Sequence, residues 1–83
     1  MNIYEQAVHK FGADHQILKA VEELNELATA LMHYREGKAT INQVQDEIVD
    51  VSIILNQLEI ILGKLPETTI AQKLTKLDKA INQ

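Results

Sequence analysis

The chain has 83 residues with no cysteine, one proline and three glycines, which is the size of one small domain. Hydrophobic residues make up 46% of the sequence but aromatic residues only 4%, so the core has to be aliphatic. The formal charge of −4 and the few aromatic rings argue against nucleic-acid binding, and the lack of cysteine excludes disulfides, thiolate catalysis and cysteine zinc sites.

The sequence shows no targeting or membrane segment. Its first residues have neither the basic start nor the apolar run of a secretion signal, and its apolar stretches are far shorter than the ~20 residues that cross a bilayer. We therefore expect a cytoplasmic protein with no membrane partner. Since a core of this size supplies only roughly 3–5 kcal/mol, we also expect the chain to form oligomers.

Glycine and proline divide the chain into four segments that all have helical patterns. The first covers about residues 3–11 and ends before Gly12. The second begins near Asp14, a candidate N-cap, and ends near Arg35, shortly before Gly37. Aliphatic residues recur along the second segment in steps of three and four, as on one face of a helix. They are Ile17, Val21, Leu24, Ala28 and Leu31.

The third segment, about residues 41–62, has the strongest apolar pattern. Thr40 and Gln43 form a candidate capping box at its start, and Gly63 follows its end. One row of aliphatic residues runs its whole length, and further aliphatic residues lie at other helical angles, which predicts burial on more than one side. The row is Ile41, Val44, Ile48, Val51, Leu55, Leu58 and Leu62; the others are Val49, Ile53, Ile54, Ile60 and Ile61.

The fourth segment follows Pro66 and carries a single apolar row, Ile70, Leu74, Leu77 and Ile81. Together the four segments predict an all-α fold: a single domain, residues 1–83, built as an antiparallel bundle of about four helices. One neighbour within the chain cannot cover the third helix on several sides. We therefore expect a second copy of the chain to complete a four-helix core.

Acidic pairs stand on the two longest helices. Glu23 and Glu26 on the second helix, and Glu47 and Asp50 on the third, are three residues apart, so each pair projects from one face. None of these acids has a basic residue four positions later, and only Lys19, four residues before Glu23, relieves the charge locally. Like-charge neighbours each cost a helix roughly 0.2–0.5 kcal/mol.

A divalent cation would resolve this repulsion. Four carboxylates from two facing helices offer only oxygen ligands, which suit Mg²⁺ and, as an alternative, Mn²⁺. Such spacings also occur on solvated acidic helix faces. From the spacing alone, a metal site and a solvated face are about equally good interpretations.

The run Glu22-Glu23-Leu24-Asn25-Glu26, followed twenty residues later by Glu47-Ile48-Val49-Asp50, resembles the EExxE…ExxD signature of MazG-like all-α nucleoside triphosphate pyrophosphohydrolases. The similarity is greatest to the short phage-type members and covers roughly residues 13–62. It implies Mg²⁺-dependent cleavage of a nucleoside triphosphate between its α and β phosphates, which gives a nucleoside monophosphate and pyrophosphate.

The resemblance also implies roles for particular residues. Glu23, Glu26, Glu47 and Asp50 would be the metal ligands. Glu22 and Glu23 would be the catalytic carboxylates, with Glu22 orienting or deprotonating the attacking water or serving as an additional ligand. The family further implies a homodimer, often paired into a homotetramer, which agrees with the expectation from the third helix.

Three further side chains are candidate substrate contacts. Residues 1–63 carry a net charge of −6 and residues 64–83 a net charge of +2. The last helix could therefore fold over the acidic site and bring Lys73 to the phosphates, although lysines that only solvate the outer face of this helix are the favoured interpretation. Lys19 either contacts phosphate or only offsets the acids. Asn56 and its neighbour Gln57 either read the sugar or base, or bond to solvent or between helices. His33 shares the face of Glu26, although an ordinary surface position is its default interpretation.

Two other functions fit the same sequence. A phosphoribosyl-ATP pyrophosphatase of histidine synthesis would share the reaction type and differ in its substrate. A non-enzymatic helical oligomer would use the acids to hold a structural divalent ion or to face a basic protein partner. The sequence leaves open the base, the sugar, the number of copies and metal ions, and the biological role.

Overall fold

The computed structural model describes all 83 residues and contains four α-helices and no strand. The all-α prediction is therefore confirmed. No helix combines the length and the hydrophobicity needed to cross a membrane. The helices are α1 (Ile3–Phe11), α2 (Ala13–Arg35), α3 (Ile41–Leu62) and α4 (Glu67–Ile81).

The helix ends follow from local side-chain chemistry. The predicted capping box of α3 is confirmed, since Thr40 Oγ1 accepts from the Gln43 amide at 3.2 Å and Gln43 Oε1 accepts from the Thr40 amide at 2.8 Å. The prediction of Asp14 as the N-cap of α2 is wrong. Gly12 holds that position with φ of 92°, a conformation that glycine adopts at no steric cost, and it joins α1 to α2 without further residues.

Helices α2 and α3 form an antiparallel pair, and α1 packs against both of them. Gln16 Nε2 donates to Gln57 Oε1 at 2.7 Å, and Glu26 lies close to Glu47. The later residue of α2 is thus paired with the earlier residue of α3, which shows that the two helices run in opposite directions. The residues buried between these helices are mainly small or polar on α2. They are Gln16, Ala20 and Glu23 of α2, and Val44, Val51, Ile54 and Gln57 of α3.

The aliphatic row predicted along α2 is not the face that contacts α3. It lies about 100° further around the helix, on the side away from Glu22 and Glu26. Part of the α3 row is likewise exposed, on the side away from Asp46, and the antiparallel pairing places both exposed rows on one side of the pair. We call this the aliphatic face: Ile17, Val21, Leu24 and Leu31 of α2, with Ile41, Ile48 and Leu55 of α3.

Helix α4 packs against none of the other helices. Of the four helices expected in the bundle, α1, α2 and α3 pack together within the chain, and α4 does not join them. The radius of gyration is 15.7 Å, against about 12 Å for a compact chain of this length. The accessible surface is 6660 Å², against about 5,000 Å² for a folded monomer of this mass. Only seven residues are buried, four of them hydrophobic.

Candidate metal centre

Three carboxylates converge between α2 and α3. Glu23, Glu26 and Glu47 each place one oxygen so that the three atoms lie within 4.8 Å of one another. The three-residue spacing on α2 makes Glu23 and Glu26 neighbours, and the antiparallel register brings α3 to Glu26 at the level of Glu47. The arrangement collects negative charge from both helices at one point.

Two oxygens of this cluster have no hydrogen-bond partner. Glu23 is only 7% exposed, and its Oε2 atom and the Oε2 atom of Glu47 are both buried and unpaired. A buried polar atom without a partner costs about 1–3 kcal/mol, and more when it carries charge. A cation bound at these oxygens would remove that cost, so the donor set fits a hard divalent ion.

The charges around the cluster shift two pKa values. The Glu23 carboxylate raises the pKa of Glu26 above its ordinary value of 4.5, with desolvation and the nearby charge of Glu47 adding to the shift. Lys19 Nζ lies 3.1 Å from Glu23 Oε1 and 3.5 Å from Glu22 Oε1. The hydrogen bond to Glu23, together with the charges of Glu22 and Glu23, raises the pKa of Lys19 above 10.5.

Glu26 and Glu47 of this cluster line an open cleft of about 600 Å³ on the side of the α2–α3 pair opposite the aliphatic face, whereas Glu23 lies outside its lining. This volume is within the range of small-molecule and cofactor sites. Glu22 lines the cleft and leaves most of its side chain exposed. The remaining polar lining residues are Asn25, Glu26, Thr29, His33, Lys38, Gln43, Asp46 and Glu47.

The structure brings together three of the four predicted metal ligands. Asp50 is exposed and lies outside the group formed by Glu23, Glu26 and Glu47. Its side chain is one methylene shorter than that of glutamate, so its carboxylate reaches less far from the axis of α3.

None of the three candidate substrate contacts, Lys19, Asn56 and Lys73, lines the cleft. Asn56 Nδ2 donates to the Ser52 carbonyl at 2.8 Å, and Asn56 faces a separate groove near the end of α3. Lys73 belongs to α4, which contacts neither acidic helix, so the lid expected over the site is not formed within the chain. Lys19 offsets the acids, which was one of its two interpretations.

Lys38 was not predicted from the sequence as a residue of the site, and the positions of His33 and Gln57 were left open. Lys38 lines the cleft from the connection between α2 and α3 and pairs with Glu36 at 3.2 Å. Its place between two acidic helices in the sequence was the signal that could have found it. His33 also lines the cleft, whereas Gln57 bonds between the helices.

Comparison with protein-family models, with curated proteins and with solved structures finds no match to this chain.

Proposed function

We propose that this protein is a Mg²⁺-dependent nucleotide pyrophosphohydrolase that cleaves a nucleoside triphosphate, ribose or deoxyribose, between its α and β phosphates. The observation that carries the proposal is the cluster of Glu23, Glu26 and Glu47 beside a cleft of about 600 Å³, with two buried oxygens unpaired. The motif resemblance to the MazG-like enzymes supplies the reaction type.

The donor set fits the proposed ion. Every group in the cluster is a carboxylate, which is the ligand type of Mg²⁺ and Mn²⁺. Asp50 lies level with Glu23 in the register set by the Gln16–Gln57 bond and is the fourth ligand in this proposal. The bound ion supplies charge neutralisation for the phosphates and makes the phosphorus atom more electrophilic.

The other groups act on substrate and water. Glu22 has an exposed carboxylate at the cleft, so it orients the attacking water and accepts its proton. Lys38 supplies the positive charge that attracts a triphosphate into an otherwise acidic cleft. Lys19 orients the Glu23 carboxylate through their 3.1 Å ion pair.

We further infer that the working protein is a homodimer formed through the aliphatic face. The accessible surface of 6660 Å² exceeds the value expected for a folded monomer by roughly 1,600 Å². A standard interface buries about 800 Å² on each partner, so the excess is ample for one. Pairing through this face leaves both acidic clefts open on the outside, and a tetramer would be a further association of such dimers.

The test is a panel of ribo- and deoxyribonucleoside triphosphates plus phosphoribosyl-ATP, assayed with Mg²⁺ and with the products separated. We expect a monophosphate and pyrophosphate, and Glu47→Gln should lower the rate at least about 100-fold while keeping the helical circular dichroism spectrum. Asp14→Asn, which removes an acid from α2 outside the cleft, is the matched control and should retain the rate.

The other outcomes separate the alternatives. Preferred turnover of phosphoribosyl-ATP would replace the proposed substrate with that one. Release of orthophosphate alone would contradict the reaction class. Stabilisation by Mg²⁺ without turnover of any compound would instead favour a structural metal site.

A further inference from the structure

We propose that α4 docks on a second copy of this chain, parallel to that copy's α3, along a row formed by Val49, Ile53 and Ile60. We call these three residues the outer row. The inference goes beyond the proposed reaction and depends only on the chain associating with itself.

The first observation is that α4 has an apolar face and nothing within the chain to cover it. Its row of Ile70, Leu74, Leu77 and Ile81 is exposed, and the helix contacts no other helix. A helix of 15 residues is marginal in water unless its apolar face is packed. A surface outside the chain therefore has to receive it.

The second observation is a matching surface on α3. The three residues of the outer row are between 40% and 54% exposed and project away from α2. Their spacings of four and seven residues equal those of Ile70, Leu74 and Ile81. Both rows are therefore about 16 Å long, and they can pack against each other residue by residue.

The third observation is the charge beside each row. On α4, Lys73 lies on one side of the apolar row, and Glu67 and Asp78 lie on the other. On α3, Asp46 and Asp50 border the outer row on the side toward the cleft. When two helices pack in parallel, Lys73 lies on the side of these aspartates. When they pack antiparallel, the acids of both helices meet instead.

The length of the connection identifies the occupant as a second copy. Residues 63–66 join α3 to α4, and four residues span at most about 14 Å. Parallel packing on its own α3 would require the chain to return more than about 20 Å along that helix. The orientation that the charges favour is therefore reachable only between two chains.

Cysteine cross-linking tests the partner and the orientation together, because the chain contains no cysteine of its own. The full-length chain with Val49→Cys is mixed with the full-length chain with Ile70→Cys under mild oxidation. We expect a disulfide between the two different chains, identified by its mass. The matched control replaces Ile70→Cys by Thr75→Cys, which lies on the opposite side of α4 and should not cross-link.

The orientation has its own control. Ile60→Cys mixed with Ile70→Cys reports antiparallel packing and should stay reduced. An antiparallel cross-link as fast as the parallel one would overturn the proposal. So would a disulfide within one chain in the double variant Val49→Cys/Ile70→Cys.

A charge exchange gives a second measurement that does not depend on activity. Lys73→Glu should slow the parallel cross-link by about two- to fivefold, and adding Asp50→Lys should restore it. An unchanged rate in Lys73→Glu would contradict the charge argument. Since the readout is a covalent dimer, failure of the proposed enzymatic reaction would leave this result unaffected.

Discussion

The two sides of the α2–α3 pair differ in chemical character. One side holds the cleft, which four carboxylates line (Glu22, Glu26, Asp46 and Glu47), and the other side holds the aliphatic face. On α2, the contact with α3 is made by residues such as Gln16 and Ala20 rather than by the large aliphatic side chains of that helix. The aliphatic face is therefore available for another chain, while the carboxylates lie at a cleft that a ligand can enter.

The largest expected effect comes from placing charge on the aliphatic face. Leu24→Asp combined with Ile48→Asp should abolish association and cost several kcal/mol of stability, because two carboxylates would have to be buried without partners. Analytical ultracentrifugation and thermal denaturation followed by circular dichroism measure both effects. Glu22→Gln, a change on the cleft side, should leave the mass in solution unchanged. A double variant with the mass and melting temperature of the original would show that this face is not an interface.

A smaller effect is expected on the acidic side. Mg²⁺ at 100 times its dissociation constant should stabilise the protein by about 2.7 kcal/mol, because it binds the assembled carboxylates and not the unfolded chain. Glu23→Gln should remove most of this gain, since it takes one buried oxygen ligand away. Melting curves in Mg²⁺ and in a chelator provide the measurement. An equal gain in both proteins would place the ion elsewhere.

The local features of this fold could be predicted from the sequence, because they depend on neighbours in the chain. The capping box at Thr40 and the helix end at Gly63 are set by residues within one turn. The convergence of Glu26 and Glu47 was also predictable, since a short connection makes α2 and α3 antiparallel and their acids recur on one side.

The features that depend on packing between helices could not be predicted in the same way. The hydrophobic pattern of α2 predicted one apolar face that includes Ile17 and Leu24, but the face that contacts α3 is set by Ala20 and the Gln16–Gln57 bond. Periodicity identifies an apolar face without identifying what covers it. For the same reason the row on α4 indicated a helix but not that it would stand apart from α1, α2 and α3.

The smallest expected effect is a pH dependence of the protein's stability, which arises from the carboxylates on the cleft side when no metal is bound. The pKa of Glu26 is raised in the folded protein, mainly by the charge of Glu23, so the folded state holds this proton more tightly than the unfolded chain. The contribution of Glu26 to stability must then fall as pH rises from about the ordinary value of 4.5 through the raised pKa. In the presence of a chelator, Glu26→Gln should therefore have a higher melting temperature than the original protein at pH values above this range. At pH values below it, the two melting temperatures should be equal. Because Mg²⁺ neutralises the same repulsion, adding the ion should reverse the order. A Glu26→Gln protein that is less stable at neutral pH without metal would show that the carboxylate cluster is not strained by its own charge.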